Sequence, residues 1–214
     1  MDKVRILQLN LNKDRTGLSE LYNFMITNNI ALAAVQEPYV NYLNVVPSSS
    51  SFFIIHHNST DRPRAALIIS KKLQIFQHVE MFNRDLIVCS IKMKGTEITI
   101  MSAYLPPARD ARGQHVDVEP HLEAIEKAVR SFKKNLIVCG DFNGHHVAWG
   151  SPKNNLRGED VNDFFARNDL HLVNTGDEPT FQSSRGSSHI DLTFATAEIY
   201  QQIVDWNVND GVVK

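Results

Sequence analysis

Apolar residues along the chain come in short blocks instead of long amphipathic stretches. The runs at 4–11 (VRILQLNL), 31–36 (ALAAVQ), 51–57 (SFFIIHH), 64–70 (RAALIIS), 85–91 (DLIVCSI), 97–104 (EITIMSAY) and 135–141 (NLIVCGD) have the length and residue types of strands. Several are apolar at successive positions, which requires burial of both strand faces, as when two sheets pack together and helices cover the outside. Helical periodicity runs through 18–28, 116–132 and 159–167, where Val161, Phe164 and Phe165 share one stripe. The expected architecture is an α/β sandwich. Loops are marked by Pro47 and the serines after it, by 105–113 with two prolines, and by 183–188 around Gly186. No internal repeat or dividing linker interrupts the pattern, so one domain over 1–214 is expected.

Composition narrows the classes of function. The 214 residues are 43% apolar and 21% charged, enough for one well-buried core. No apolar run reaches membrane-spanning length, and the opening MDKVRILQLN alternates like a strand, unlike a signal peptide. The only cysteines, Cys89 and Cys139, sit inside apolar runs where a free thiol acts as a small hydrophobe, which fits a reducing, intracellular setting. The formal net charge is −2. A chain this close to neutral does not bind nucleic acid by its overall field, so any contact with DNA must be local.

Three strand-like runs end in polar groups: Asn10 after VRILQL, Glu37 after ALAAVQ, and Asp141 with Asn143 after LIVCG. Rigid strands fix side chains at their ends while the following loops admit a ligand. Converging carboxylates there suggest a hard cation such as Mg²⁺, which takes one or two carboxylates and keeps waters that a phosphate oxygen can replace. Taken singly, each residue also has a purely structural explanation: GDFN as a turn, Glu37 as a solvated strand end, Asn10 as a backbone cap. The adjacent His145 and His146 point apart and lack zinc spacing, so HHVAW reads as loop packing anchored by Trp149.

Order and company carry the reading further. The series QLN at 8–10, QEP at 36–38, SAYLPP at 102–107, GDFN at 140–143 and SHIDLTF at 188–194 resembles the exonuclease–endonuclease–phosphatase superfamily. The run GDFNGHHVAWGS (140–151) followed by RGEDVNDFF (157–165) narrows the resemblance to the endonuclease domain of non-LTR (LINE-type) retrotransposons, apurinic-endonuclease-like enzymes. That resemblance implies a four-layered, DNase I-like α/β sandwich of two packed mixed sheets with helices outside. It implies a nuclease that nicks double-stranded DNA with Mg²⁺, or Mn²⁺ in its place, and leaves a 3′-OH for reverse transcription. It further implies a covalent continuation into a reverse transcriptase, action in the nucleus and no membrane partner. In residue terms, Glu37 becomes the metal ligand and Asp141 the base that orients and deprotonates water. Asn143 holds the phosphate, Tyr104 contacts it or the leaving oxygen, Asn10 orients Asp141, and Asp191 completes the set. Asn12, Arg109, Thr180, Arg185 and Ser188 are the implied DNA-contacting residues. Of these, Asn12 stands at a position often acidic in the repair enzymes. Arg185 would ride the tip, 183–187, of a hairpin with stems at 180–182 and 188–191.

One departure bears on activity. Such domains normally close with a Ser-Asp-His segment on a last strand, and residues 212–214 (VVK) follow without it. His189, two residues before Asp191 and on the same strand face, is the nearest substitute in the sequence. Alternatives within the same fold are an apurinic-site repair endonuclease or exonuclease and a phosphoinositide or sphingolipid phosphodiesterase. From another class comes a catalytically inactive DNA-docking domain.

Overall fold

The computed structural model describes residues 3–209 other than 94, 111, 184 and 185. Its first sheet contains β1 (Ile6–Asn10), β2 (Leu32–Gln36), β3 (Phe52–His56) and β4 (Ala65–Ser70), ordered β1-β2-β4-β3. The second contains β5 (Gln74–Gln77), β6 (Leu86–Met93), β7 (Thr96–Tyr104), β8 (Leu136–Asp141) and β9 (Leu170–Leu172). After a separate hairpin of β10 (Phe181–Ser183) and β11 (Gly186–Ser188), β12 (Asp191–Thr196) returns to complete the order β5-β6-β7-β8-β12-β9. Both sheets are mixed: β1 and β2 run parallel, as do β7 and β8, while the remaining pairs are antiparallel.

Alternate residues of each central strand enter different cores. On β4, Ala65, Leu67 and Ile69 face the layer between the sheets, whereas Ala66 and Ile68 face outward against α1 (Arg15–Thr27). On β8, Ile137 and Cys139 face the inter-sheet layer, while Leu136 and Val138 pack toward α2 (Glu119–Ser131) and α3 (Leu156–Arg167). The doubly apolar strands are thus explained by a helix–sheet–sheet–helix stack, since each large buried side chain contributes roughly 1.5–3 kcal/mol. A last short helix, α4 (Ala197–Tyr200), follows β12. Among the described residues, no helix is long and apolar enough to cross a membrane.

Helix boundaries follow their caps. Asp14 accepts from the Thr16 and Gly17 amides and starts α1 at Arg15, earlier than its apolar stripe. Residues 116–118 remain outside α2, which begins at Glu119-Pro120. The edge strands β5 and β9 escape the sequence pattern because one is mostly exposed and the other has three residues. The hairpin strands reach further toward the tip than expected, pairing Ser183 with Gly186, and leave Thr180 and 189–191 outside them. Arg185 lies outside the described residues.

Candidate active site

Three of the candidate residues form a row across the second sheet. Tyr104 ends β7 opposite Asp141 at the end of the parallel strand β8, and Asp141 is the partner of Asp191 at the start of antiparallel β12. Facing them from the first sheet, Gln8 and Asn10 lie on one side of β1, two residues apart. Asn10 Nδ2 donates to Asp141 Oδ2 at 2.8 Å, and Gln8 Nε2 donates to Asp191 Oδ1 at 2.8 Å. The sheets therefore meet at a polar seam at one end of their interface.

The backbone around this seam is turned sharply. Asn143, with φ of 49°, donates its amide N–H to Asp141 Oδ1 at 3.1 Å and its side-chain amide to the Leu105 carbonyl at 2.9 Å. Glu37, with φ of 43°, stands one residue past β2 and ion-pairs with Lys13 at 2.6 Å. Such left-handed positions cost non-glycine residues free energy and are held only where the surroundings fix them. Tyr104 is buried, with the Arg64 guanidinium 4.8 Å from its ring centroid. Asn12 is exposed, and its amide N–H closes a local turn onto Asn10 Oδ1.

Electrostatics set the two aspartates apart. Burial pushes Asp141 up to about 8, with the Asp191 charge beside it adding to the rise against the bonds from Asn10 and Asn143. Burial likewise raises Asp191 to about 6, opposed by the hydrogen bonds from Gln8 and Thr180. Two buried carboxylates in register cannot both ionise cheaply, so the pair retains a proton into the neutral range. Excess negative potential of this kind is what a divalent cation neutralises. Among the described residues no group of three or more His, Cys, Asp or Glu is placed to hold a metal ion. The donor chemistry fits a cation held by Glu37 with most of its shell supplied by water and substrate.

The remaining sequence-derived positions divide. The Thr180 hydroxyl oxygen accepts from the Asp191 amide at 3.1 Å, so it buttresses the row, and Ser188 ends β11 opposite Phe181. Arg109 bonds back to the Gly113 carbonyl and lines a separate cleft of ≈ 810 Å³ with Arg157 and Asp160; neither Asp141 nor Asp191 lines this cleft. His189 turns to the Asp177 carbonyl at 3.1 Å, and its ring lies against Gly150. His146 accepts from the Ala148 amide, while Trp149 is buried and donates to the Gly144 carbonyl.

Several supporting residues carry no structural role in the sequence reading, although Gln36 lies in its QEP run and Arg157 and Gly158 in RGEDVNDFF. Gln36, fully buried, accepts from Gln8 at 2.6 Å and donates to Ser102 at 3.0 Å, extending the polar seam through the core. Its only signal is a glutamine closing an apolar run just before Glu37. Arg157, also buried, donates to the carbonyls of Pro106 and Val116 and so fixes both ends of the loop after Tyr104. Gly158 lets α3 dock on the loop after Asn143: a Cβ there would lie 1.9 Å from the His145 carbonyl oxygen. Gly158→Ala should therefore destabilise the protein by about 1–3 kcal/mol despite the better helix propensity of alanine, as measured by urea unfolding. An unchanged midpoint would mean that the helix does not approach the loop this closely.

The family described as endonuclease–reverse transcriptase matches residues 98–212. The chain is 24% identical over 171 residues to the RNA-directed DNA polymerase from mobile element jockey of Drosophila funebris, a match that covers 78% of this chain and 18% of that protein. The corresponding protein of Drosophila melanogaster is 24% identical over 172 residues, with the same shares covered. The chain thus spans about a fifth of the length of these curated relatives. Among solved structures, the endonuclease domain of TRAS1, a telomere-specific non-LTR retrotransposon, is similar with a TM-score of 0.87 and 28% identity, covering 99% of this chain and 94% of that one. The AP endonuclease LMAP from Leishmania major shares the fold with a TM-score of 0.67 at 10% identity, over 94% of this chain and 80% of that one.

Proposed function

Because the chain belongs to the endonuclease–reverse transcriptase family and is an endonuclease domain of a non-LTR retrotransposon, we propose that it nicks double-stranded DNA with a divalent cation and leaves a 3′-OH for reverse transcription. The observation that carries this reading is the in-register Tyr104–Asp141–Asp191 row with Asn10 bonded across to Asp141. A reverse transcriptase continuing the same polypeptide belongs to the same proposal, supported by the jockey relatives, and a nuclear site of action is proposed with it.

The chemistry follows from what hydrolysis of a phosphodiester demands. Glu37 would hold the cation, Mg²⁺ or Mn²⁺, which when bound supplies positive charge against a nonbridging phosphate oxygen. Asp141 accepts the proton of the attacking water, and the Asn10 amide at its Oδ2 fixes the direction in which the carboxylate faces. Asp141, whose proton burial holds up to about 8, would be favoured in its ionised form by the positive charge that Glu37 would hold beside it. The Asn143 amide has a second hydrogen for a phosphate oxygen beyond the one given to Leu105. The Tyr104 phenol, whose proton burial holds firmly, is a neutral donor toward phosphate or leaving oxygen. Asp191 accepts from Gln8 beside Asp141, and Asn12, Arg109, Thr180, Ser188 and Arg185 are proposed as DNA contacts.

Supercoiled plasmid tested beside a duplex bearing one abasic site distinguishes this function from repair. The expected result is nicking of undamaged plasmid at a rate comparable to that of the abasic duplex. Cleavage confined to the abasic duplex would assign a repair enzyme, and tight DNA binding without cleavage of either would assign a docking domain.

A further inference from the structure

The two sheets are joined beside the active site by a second polar contact, and its geometry bears on catalysis. Arg64, just before β4, and Asp85, just before β6, bind each other through Nε–Oδ1 at 2.5 Å and Nη2–Oδ2 at 2.6 Å. His121 of α2 also reaches the carboxylate, with Nε2 3.3 Å from the same Asp85 Oδ2 that Arg64 Nη2 binds. The backbone carbonyls of the same pair take up two site residues: Arg64 O accepts from the Glu37 amide at 2.8 Å, and Asp85 O accepts from the Tyr104 amide at 2.9 Å. The guanidinium carbon of Arg64 meanwhile lies over the Tyr104 ring, 4.8 Å from its centroid. One ion pair thus touches the residue proposed to hold the cation and the residue proposed to meet the phosphate.

We propose that Arg64, clamped by Asp85 and His121, is a positioning residue that sets the Tyr104 hydroxyl relative to Glu37 and so aligns the halves of the site contributed by the two sheets. The proposal rests on the nuclease reading above. A planar fork is required for this, because only arginine can bond bidentately to a carboxylate along one edge while stacking an aromatic ring on its face. A lysine could keep the charge and would lose both contacts. Burial opposes ionisation of Asp85, but the bonds from His121 and Arg64 outweigh it and hold its carboxyl below the usual range, so Asp85 stays ionised at neutral pH. Removing either partner outright would strand a buried charge and threaten the fold, which makes conservative replacements the informative ones.

The test combines Arg64→Lys, Tyr104→Phe and the double variant with a nicking assay run well below the melting temperature of each. Arg64→Lys should lower kcat about 10-fold or more with KM within about twofold, since small misplacements of a catalytic group act on the chemical step. In the Tyr104→Phe background, where the hydroxyl is gone, the same change should lower kcat by less than about twofold. Full additivity, or an unchanged kcat in Arg64→Lys, would show a structural staple only and overturn the proposal. A readout independent of activity is the ¹³Cζ signal of Tyr104 in tyrosine-labelled protein, assigned by its loss in Tyr104→Phe. It should shift in both Arg64→Lys and His121→Gln. An unmoved signal in Arg64→Lys overturns the positioning role even if the protein proves to have no nuclease activity, so failure of the two readings can be told apart.

Discussion

Asp141→Asn is expected to lower the nicking rate by about 10²–10⁴-fold, the usual contribution of a positioned general base. The carboxylate has two occupied faces, Oδ2 accepting from the Asn10 side chain and Oδ1 from the Asn143 amide. An asparagine offers one acceptor, so either way round its NH₂ group meets a donor. The substitution therefore removes the proposed base and also loosens either Asn10 or the Asn143 turn. Its effect on stability should run the other way at pH 8 without metal, because one of two buried like charges has gone. Rate and melting temperature measured on the same preparation separate lost chemistry from lost fold. An Asp141→Asn protein that nicks normally would mean that another group takes the proton.

The second large effect is on stability against pH. Asp141 and Asp191 both have folded-state pKa values raised above the 3.8 of a free aspartate, to about 8 and about 6. Raised values mean that the folded protein holds these protons more tightly than the unfolded chain. Their contribution to stability is thus complete below about pH 4 and is lost as pH rises through the folded values. Asp85 is shifted downward, so its contribution is present above the free value and fails only as pH falls below it, in a separate window. Between pH 5 and 8.5 in chelator, the protein should lose at least about 1 kcal/mol, or about 2–4 °C in Tm for a domain of this size. Asp191→Asn should flatten that slope, and Mg²⁺ should restore stability most at the alkaline end, where the pair is ionised. A Tm independent of pH in chelator, or a slope unaltered by Asp191→Asn, would show that the two carboxylates are not electrostatically joined.

Much of the scaffold is written in local pattern. The doubly apolar strands at 65–70 and 136–141 announce burial on both faces, and the Val161, Phe164 and Phe165 stripe marks α3. What local pattern cannot carry is pairing at a distance. Asp141 and Asp191 are separated by β9, the hairpin and α3, and only the return of β12 beside β8 places them in register. Arg64 and Asp85 are 21 residues apart and carry no motif. Gly158 misleads in the other direction. As a poor helix former it points to a helix starting at 159, whereas Asn155 caps the helix from 156 and the approach of His145 requires a residue without a Cβ. Gln36 is obscured because a glutamine at a strand end looks solvated, while here it is fully buried in a satisfied network.

The central claim, that this site cleaves DNA with the help of a divalent cation, is tested most directly by following supercoiled plasmid in Mg²⁺ and in excess chelator. The expected result is conversion to the open-circular form in Mg²⁺ alone, with nicks that a DNA polymerase extends without prior treatment of the ends. Plasmid that stays supercoiled in Mg²⁺, or is nicked equally well in chelator, would contradict the account.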